Sequence, residues 1–236
     1  VWDALDYFAG RENSDVQMSA WQGFSDHSAC PYSANAIANH GGKYVGTRRV
    51  LQSLAQAIGN DFHPDLMHGG NSINLQYEIL TVANGLLGNA DDDAFDLFVQ
   101  LGYGNLVMSS MLDQPDERST NERACAALAM LSQNTTVRAS LVRDGALQFI
   151  SGAMARFKGE DHKLFVFAEI GDFYPVLRSC NIALHNFADN STTVQDTLLQ
   201  LGVLETYETM REDIRSELSM RALPDLLRAR KQQVGA

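Results

Sequence analysis

The sequence predicts an all-α protein whose helices repeat along the chain as a solenoid. In the repeated stretches, apolar residues recur at the three- and four-residue spacing of a helix face, and no strand-like alternation of any length competes. Each unit has a polar start, a short apolar segment, a glycine and a second apolar segment. The glycines lie 60, 43 and 57 residues apart, at Gly42, Gly102, Gly145 and Gly202. A period of about 40 residues is typical of helical solenoids, in which neighbouring units bury each other's apolar faces.

The composition indicates a folded, acidic protein of one large domain or two small ones. The chain has 236 residues, of which 45% are apolar, enough to form a buried core. Lys and Arg total 18 against 29 Asp and Glu, which gives a net charge of −11. This balance argues against general nucleic-acid binding, which needs basic surface, and favours cationic partners. No apolar run approaches the roughly 18 residues of a membrane-spanning helix.

The chain divides into an N-terminal extension and a repeat domain. Residues 1–32 contain Trp2, Phe8, Trp21 and Phe24, and we expect this aromatic segment to cover the open end of the first repeat. The repeat domain covers residues 33–236, with approximate repeats at 33–88, 89–133, 134–189 and 190–230. Segments that carry Gly or Pro and charged residues interrupt the helical pattern as insertions, at 60–70 and 158–172.

A long helix is predicted at the end of each repeat. The apolar stripes of two such helices are formed by Leu75, Ile79, Val82 and Leu86, and by Leu177, Cys180, Leu184 and Phe187. The residues that suit the N-cap and first turn of the following short helix are Asp91, Asp92, Asp93, Thr135, Thr136, Ser191 and Thr192. The glycine after the short helix permits a sharp reversal. Near the C-terminus, residues 211–230 have a helical pattern that Pro224 should kink or restart.

Two stretches resemble the armadillo-repeat family. RDGALQFI at 143–150 is similar to the family's glycine turn and second helix, and ALHNFADN at 183–190 is similar to the end of its third helix. The resemblance covers roughly residues 33–230 and implies a right-handed superhelical α-solenoid of about four armadillo-like repeats with insertions. It also implies that partners bind on a concave face formed by the third helices. The inward third-helix positions in this sequence are Leu86, Met130, His185 and Asn186.

The same resemblance bears on peptide binding. Family members that bind extended basic peptides carry a ladder of third-helix asparagines, usually with tryptophan one turn earlier. Asn186 matches a ladder position, whereas Met130 and Leu86 stand at the corresponding places. The tryptophan positions hold Ile182, Ala126 and Val82. The resemblance therefore implies that binding of basic peptides is weak.

The candidate metal ligands lie in one segment, DFHPDLMH. They are Asp61, His63, Asp65 and His68. Zinc can be bound by two histidines and a carboxylate, but Pro64 interrupts any helix that would align these side chains. An exposed polar loop is therefore the simpler interpretation.

Other motifs also have structural interpretations. Asp91, Asp92 and Asp93 could bind a hard cation, but they lack EF-hand spacing and fit a helix start better. The sequences at Asn134 and Asn190 match the N-glycosylation pattern, although their position at repeat boundaries favours helix caps. No phosphate-binding loop, nucleophile elbow or CxxC motif occurs, so we expect no catalytic activity.

The cysteines favour a reducing compartment. Cys30, Cys125 and Cys180 are too few and too scattered for a disulfide framework. Cys125 and Cys180 lie in apolar helical stretches, where we expect free thiols that behave as small apolar side chains. The chain begins at Val1, which fits a processed mature form or an excised fragment, so a cytoplasmic and an organellar location after transit-peptide removal both stay open.

Together these patterns predict a non-catalytic protein–protein interaction scaffold without a cofactor, acting as an accessory subunit of a larger assembly. The expected partners are protein subunits or an extended peptide segment with a cationic surface. A membrane complex is also open as a partner, although no membrane span is predicted. Two alternatives remain: a metal-dependent or metal-regulated module that uses His63 and His68, and a basic-peptide receptor of the transport type.

Overall fold

The computed structural model describes residues 14–58, 75–159, 175–210 and 222–235. Within these ranges the chain forms 13 α-helices and no strand, which confirms the predicted all-α class. It separates into two compact units, residues 1–113 and 114–236. The predicted insertion at 60–70, nearly all of the insertion at 158–172, the aromatic residues Trp2 and Phe8, and residues 211–221 lie outside the described ranges.

Unit 1 is built around a central helix. Its helices are α1 (Ser14–Ser28), α2 (Pro31–Ala38), α3 (Val45–Ala57), α4 (Leu75–Gly88), α5 (Asp92–Gln100) and α6 (Tyr103–Asp113). α1, α2 and α3 pack against α4, which buries Ile79, Leu80 and Val82. On α1, Trp21 and Phe24 are buried and meet edge to face, with ring centroids 5.8 Å apart. Part of the aromatic N-terminal segment is therefore a core helix of unit 1.

Unit 2 is built around two neighbouring long helices. Its helices are α7 (Arg118–Leu131), α8 (Thr135–Arg143), α9 (Ala146–Phe157), α10 (Pro175–Ala188), α11 (Thr192–Gln200), α12 (Val203–Thr209) and α13 (Ala222–Val234). α7 packs along α10, and α9 contacts both helices. α13 packs on α10, α11 and α12, and it buries Leu223 and Leu227.

The two units share one order of helices. In each unit a long helix, a shorter helix and a further helix follow one another, and the same trio then occurs a second time. The second trios have the same spacing along the chain. In unit 1, α4 and α5 begin at residues 75 and 92, and in unit 2, α10 and α11 begin at residues 175 and 192. This order matches the sequence unit of short helix, glycine turn and second helix.

Three of the predicted glycine turns have the backbone conformation that the reversal needs. Gly102, Gly145 and Gly202 follow the short helices α5, α8 and α11, with φ angles of 71°, 95° and 71°. These angles lie in the left-handed region, where a side chain would be crowded against the backbone. The prediction that glycine permits the chain to reverse is confirmed at these three positions.

The predicted helix starts are also confirmed. Asp91 accepts a hydrogen bond from the Ala94 N–H at 2.8 Å, and Ser191 accepts one from the Val194 N–H at 3.4 Å. The side chain of Asn134 accepts from two backbone N–H groups at 3.0 and 3.2 Å. Each of these side chains satisfies donors that the first helical turn leaves without a partner.

Pro224 lies in the first turn of the C-terminal helix α13. It is the third residue of α13, where the absence of a backbone N–H removes no helical hydrogen bond. As described, α13 covers Ala222–Val234, so of the helix predicted over 211–230 only residues 222–230 are described.

Candidate functional site

A disulfide between Cys125 and Cys180 joins the two long helices of unit 2. The Cα atoms are 4.8 Å apart, within the range of disulfides, and both residues are fully buried. The prediction that both are free thiols is therefore wrong. It failed because sequence distance was used as a measure of spatial distance, although α7 and α10 pack side by side and bring the two cysteines together. The argument for a reducing compartment, which depended on free thiols, therefore no longer holds. Among the described residues, Cys30 is the free cysteine, and it is exposed.

A second contact between α7 and α10 lies further along both helices. The side-chain amide of Asn186 donates a hydrogen bond to the backbone carbonyl of Ala129 at 3.0 Å. The guanidinium of Arg138, on α8, donates to the backbone carbonyl of Asn186 at 2.7 Å. The contact between Ala129 and Asn186 lies nearer the C-terminal end of both helices than the contact between Cys125 and Cys180. The two helices, α7 and α10, are therefore parallel. Their C-terminal ends therefore lie side by side.

The structure brings three of the four predicted partner-binding residues together in unit 2. Met130 on α7 and His185 and Asn186 on α10 are half-buried. Leu86 is on α4 of unit 1 and only 4% exposed, so it belongs to the core and not to an accessible surface. The reason is that α4 is covered on several sides by the other helices of its unit, which an apolar stripe alone does not reveal.

Ile182 is the exposed apolar residue that the predicted set left out. It lies on α10 four residues before Asn186, on the same side of the helix, and is 45% exposed. In the sequence it was noted only as a place where a tryptophan was missing. We call Met130, Ile182, His185 and Asn186 the α7–α10 face.

Charged residues of both signs also occur on or next to α7 and α10. Arg178 and Asp189 are exposed near the two ends of α10. Glu122 and Arg123, on α7, are half-buried. The face itself combines two apolar side chains, Met130 and Ile182, with the polar side chains of His185 and Asn186.

The acidic residues at the start of α5 in unit 1 already interact with side chains of the same unit. The Tyr44 hydroxyl donates to Asp91 at 2.7 Å, and the Lys43 ammonium lies 2.9 Å from the Asp93 carboxylate. The hydrogen bond from Tyr44, together with that from the Ala94 N–H, holds the pKa of Asp91 below its ordinary value. The structure thus favours the helix-start interpretation of this acidic run over a cation site.

Metal ligation was the other predicted chemistry. Asp61, His63, Asp65 and His68 lie outside the described residues. Among the residues that are described, no group of three or more His, Cys, Asp or Glu side chains is arranged to hold a metal ion.

Two buried tyrosines anchor helices within their own units. The Tyr103 hydroxyl donates to the Asn84 side chain at 2.8 Å in unit 1. In unit 2 the Tyr207 hydroxyl donates to the side chain of Asn181. Burial raises the pKa of both tyrosines well above the ordinary value, so both hydroxyls stay protonated and act as donors.

Comparison with known proteins gives a likeness in fold to one solved structure. No protein-family model matches the chain, and no curated protein matches it. It is similar to the crystal structure of an engineered protein from the Northeast Structural Genomics Consortium, with 14% sequence identity and a TM-score of 0.50. The match covers 97% of this chain and 95% of that chain. At this identity the likeness concerns the fold alone, and the armadillo resemblance stays a prediction.

The chain is thus an all-α protein of two helical units. Across the stretches of chain that the structure describes, no helix is long and apolar enough to cross a membrane.

Proposed function

We propose that the chain is a non-catalytic scaffold, an armadillo-like solenoid that docks a protein partner on the α7–α10 face. The observation that carries the proposal is Ile182, a large apolar side chain that is 45% exposed midway along α10. Half-buried Asn186 lies one turn further along the same helix, and its side-chain amide donates a hydrogen bond to Ala129. Half-buried Met130 is the residue after Ala129. A partner that covers Ile182 removes apolar surface from water at a centre already shielded by its neighbours.

The charge distribution supports a partner with a cationic surface. Residues 1–113 contain 13 acidic and 4 basic residues, whereas residues 114–236 contain 16 and 14. The negative field therefore originates mainly in unit 1. Such a field speeds the approach of cationic proteins and weakens as added salt shortens the Debye length, about 8 Å at physiological ionic strength.

The contacts of Asn186 favour protein docking over capture of an extended basic peptide. A ladder asparagine must offer its amide to the peptide backbone. In this chain the amide of Asn186 already donates to Ala129 and so helps to hold α10 against α7. A peptide would have to break this contact before it could bind in that way.

The proposal includes a place in a larger assembly as an accessory subunit. The test starts from the native mass of the endogenous protein in a gently prepared extract, with mass spectrometry of the proteins that comigrate. We expect a mass far above the 26.0 kDa of the chain, with fixed companions. A protein that migrates alone, at the mass of its own single polypeptide, would contradict the subunit role.

The docking surface is then tested with those companions. Ile182→Asp should weaken binding by about tenfold or more, since it places a charge at the apolar centre of the interface. Val234→Asp is the matched control, because Val234 is an apolar residue of unit 2 that is 64% exposed on another helix. Circular dichroism checks that both variants fold. Equal binding by the two folded variants would exclude the α7–α10 face as the docking surface.

A further inference from the structure

Two exposed asparagines of unit 2 share a sequence pattern that the proposed function does not use. Asn134-Thr135-Thr136 and Asn190-Ser191-Thr192 both match Asn-X-Ser/Thr, the acceptor pattern for N-linked glycans. Both lie in the turn that precedes a nine-residue helix. A role as a helix cap and a role as a glycan carrier are compatible, because the cap uses the side-chain oxygen and a glycan is attached to the nitrogen.

The geometry leaves both nitrogens accessible. The Oδ1 atom of Asn134 accepts the two cap hydrogen bonds, whereas its Nδ2 atom has no hydrogen bond to any of the described residues. The cap of the second helix is supplied by Ser191, so the side chain of Asn190 is not needed for it. Both asparagines are exposed. Because α7 and α10 are parallel, the two turns lie at the same end of unit 2.

The disulfide supplies an independent observation about the environment. A bond between the buried sulfurs of Cys125 and Cys180 forms and persists in oxidising compartments such as the endoplasmic reticulum lumen. In eukaryotic cells that lumen is where Asn-X-Ser/Thr sequences become acceptors. The two acceptor sequences and the disulfide occur in the same unit.

We propose that Asn134 and Asn190 are sites of N-linked glycosylation. In the transfer, a lipid-linked oligosaccharide diphosphate is the donor. The Nδ2 atom forms a bond to the anomeric carbon of the first sugar as the bond from that carbon to the lipid diphosphate oxygen breaks. The lipid diphosphate leaves, and one Nδ2 proton passes to a base of the transferase. At Asn134 the side-chain oxygen keeps its two cap hydrogen bonds after the transfer.

This inference is independent of the docking proposal, but it restricts the approach of a partner. The glycans would cover the end of unit 2 where α7 and α10 finish. Ile182 lies eight residues before Asn190, about 12 Å along a helix at 1.5 Å per residue. A partner would therefore reach the α7–α10 face from the N-terminal half of α10.

The test uses the endogenous protein and the full chain directed to the secretory pathway of eukaryotic cells. Treatment with an amidase that removes N-glycans should lower the apparent mass in two steps and convert Asn134 and Asn190 to aspartate, which mass spectrometry detects. Thr136→Ala and Thr192→Ala should each remove one glycan while both cap side chains remain. Thr135→Ala and Thr193→Ala are the matched controls, since they change neighbouring threonines and leave the acceptor patterns complete.

One outcome of this test supports the glycosylation proposal and two outcomes overturn it. Loss of one glycan in each of the two test variants and in neither control supports the proposal. Unmodified asparagines in the endogenous protein overturn it, whether the Cys125–Cys180 bond is present or the thiols are free. A glycan on the secreted chain but not on the endogenous protein also overturns it, because the endogenous chain then does not meet the transferase.

Discussion

At three helix starts, one polar side chain replaces the backbone partners that the first turn lacks. Asp91, Asn134 and Ser191 occupy the same place before α5, α8 and α11, each of which is nine residues long. Three different residue types can serve because each carries an oxygen that reaches the N–H groups of the first turn. This is a local interaction, and for that reason the sequence predicts it well.

Removal of the strongest of these caps should weaken unit 2. Asn134→Ala, in protein made without glycosylation, should lower the free energy of unfolding by about 1 kcal/mol, because two backbone donors lose their acceptor. Urea denaturation followed by circular dichroism measures the change. Asn134→Asp keeps the acceptor and should stay near the original stability. Gln133→Ala changes an exposed neighbour and is the control; an equal effect of both alanine variants would contradict the cap role.

The buried tyrosines show which residue-scale features the sequence does not reveal. Tyr103 and Asn84 are 19 positions apart, and Tyr207 and Asn181 are 26 apart. Neither pair has a helical spacing, so nothing in the local pattern joins them. The hydrogen bonds exist only because helix packing places the two side chains next to each other away from water.

At the scale of the element, a close approach of α1 to α4 depends on Gly85. A Cβ atom at this position would lie 2.5 Å from the backbone oxygen of Ser28, closer than real Cβ atoms come. Gly85→Ala should therefore force the two helices apart and destabilise unit 1 by about 1–3 kcal/mol, as overpacking does. Thermal and urea unfolding measure the effect.

Gly23 provides the matched comparison. It lies inside α1, and a Cβ atom there would meet nothing within 4 Å. Gly23→Ala should stabilise the helix by up to about 1 kcal/mol, since alanine restricts the unfolded chain more than glycine does. If both substitutions shift stability in the same direction, the close contact at Gly85 does not determine the packing.

An ion pair connects the C-terminal helix α13 to α11. The Arg230 guanidinium donates to both carboxylate oxygens of Asp196, at 2.7 and 2.8 Å. These hydrogen bonds hold the pKa of Asp196 below its ordinary value. The stabilisation is therefore complete above the pKa of Asp196 in the unfolded chain, and it is lost as the pH falls through the lowered pKa of the folded state.

Acidification should thus loosen α13 before the rest of unit 2. Hydrogen exchange of the α13 amides, followed as the pH is lowered and corrected for intrinsic rates, measures this change. Asp196→Asn should speed exchange in α13 already at neutral pH and reduce its pH dependence; Glu205 and Glu208 of α12, which pair with Lys231 and Arg228, keep a part of that dependence. Asp225→Asn is the control, because Asp225 pairs with Arg228 inside α13 and joins no other helix. Slow exchange in α13 of the Asp196→Asn protein at neutral pH, with the pH dependence of the original protein retained, would refute the role of the pair.

At the scale of the whole molecule, the disulfide should stabilise unit 2, which contains both of its cysteines. Cys125 and Cys180 are 55 positions apart within unit 2, and a loop of that length corresponds to about 4 kcal/mol in the chain-entropy description of the unfolded state. The double variant Cys125→Ala, Cys180→Ala should lower the unfolding free energy of unit 2 by an amount of this order.

A separate probe in each unit reports the unfolding of that unit. Trp21 is buried in unit 1 and reports its unfolding by fluorescence, while hydrogen exchange in α7 and α10 reports that of unit 2. Cys30→Ala is the control, because this cysteine is exposed and not bonded to another. Three reactive thiols in the denatured, unreduced protein would show that the bond is absent.

The sequence by itself determined the all-α class, the helix starts at Asp91, Asn134 and Ser191, and the turns at Gly102, Gly145 and Gly202. These features depend on residues within a few positions of one another, so local spacing is enough to reveal them. Only the tertiary structure decided that Leu86 is buried, that Ile182 is exposed, and that Cys125 and Cys180 are bonded. Each depends on which helices pack side by side, and a helical stripe shows that a face is buried without showing what covers it.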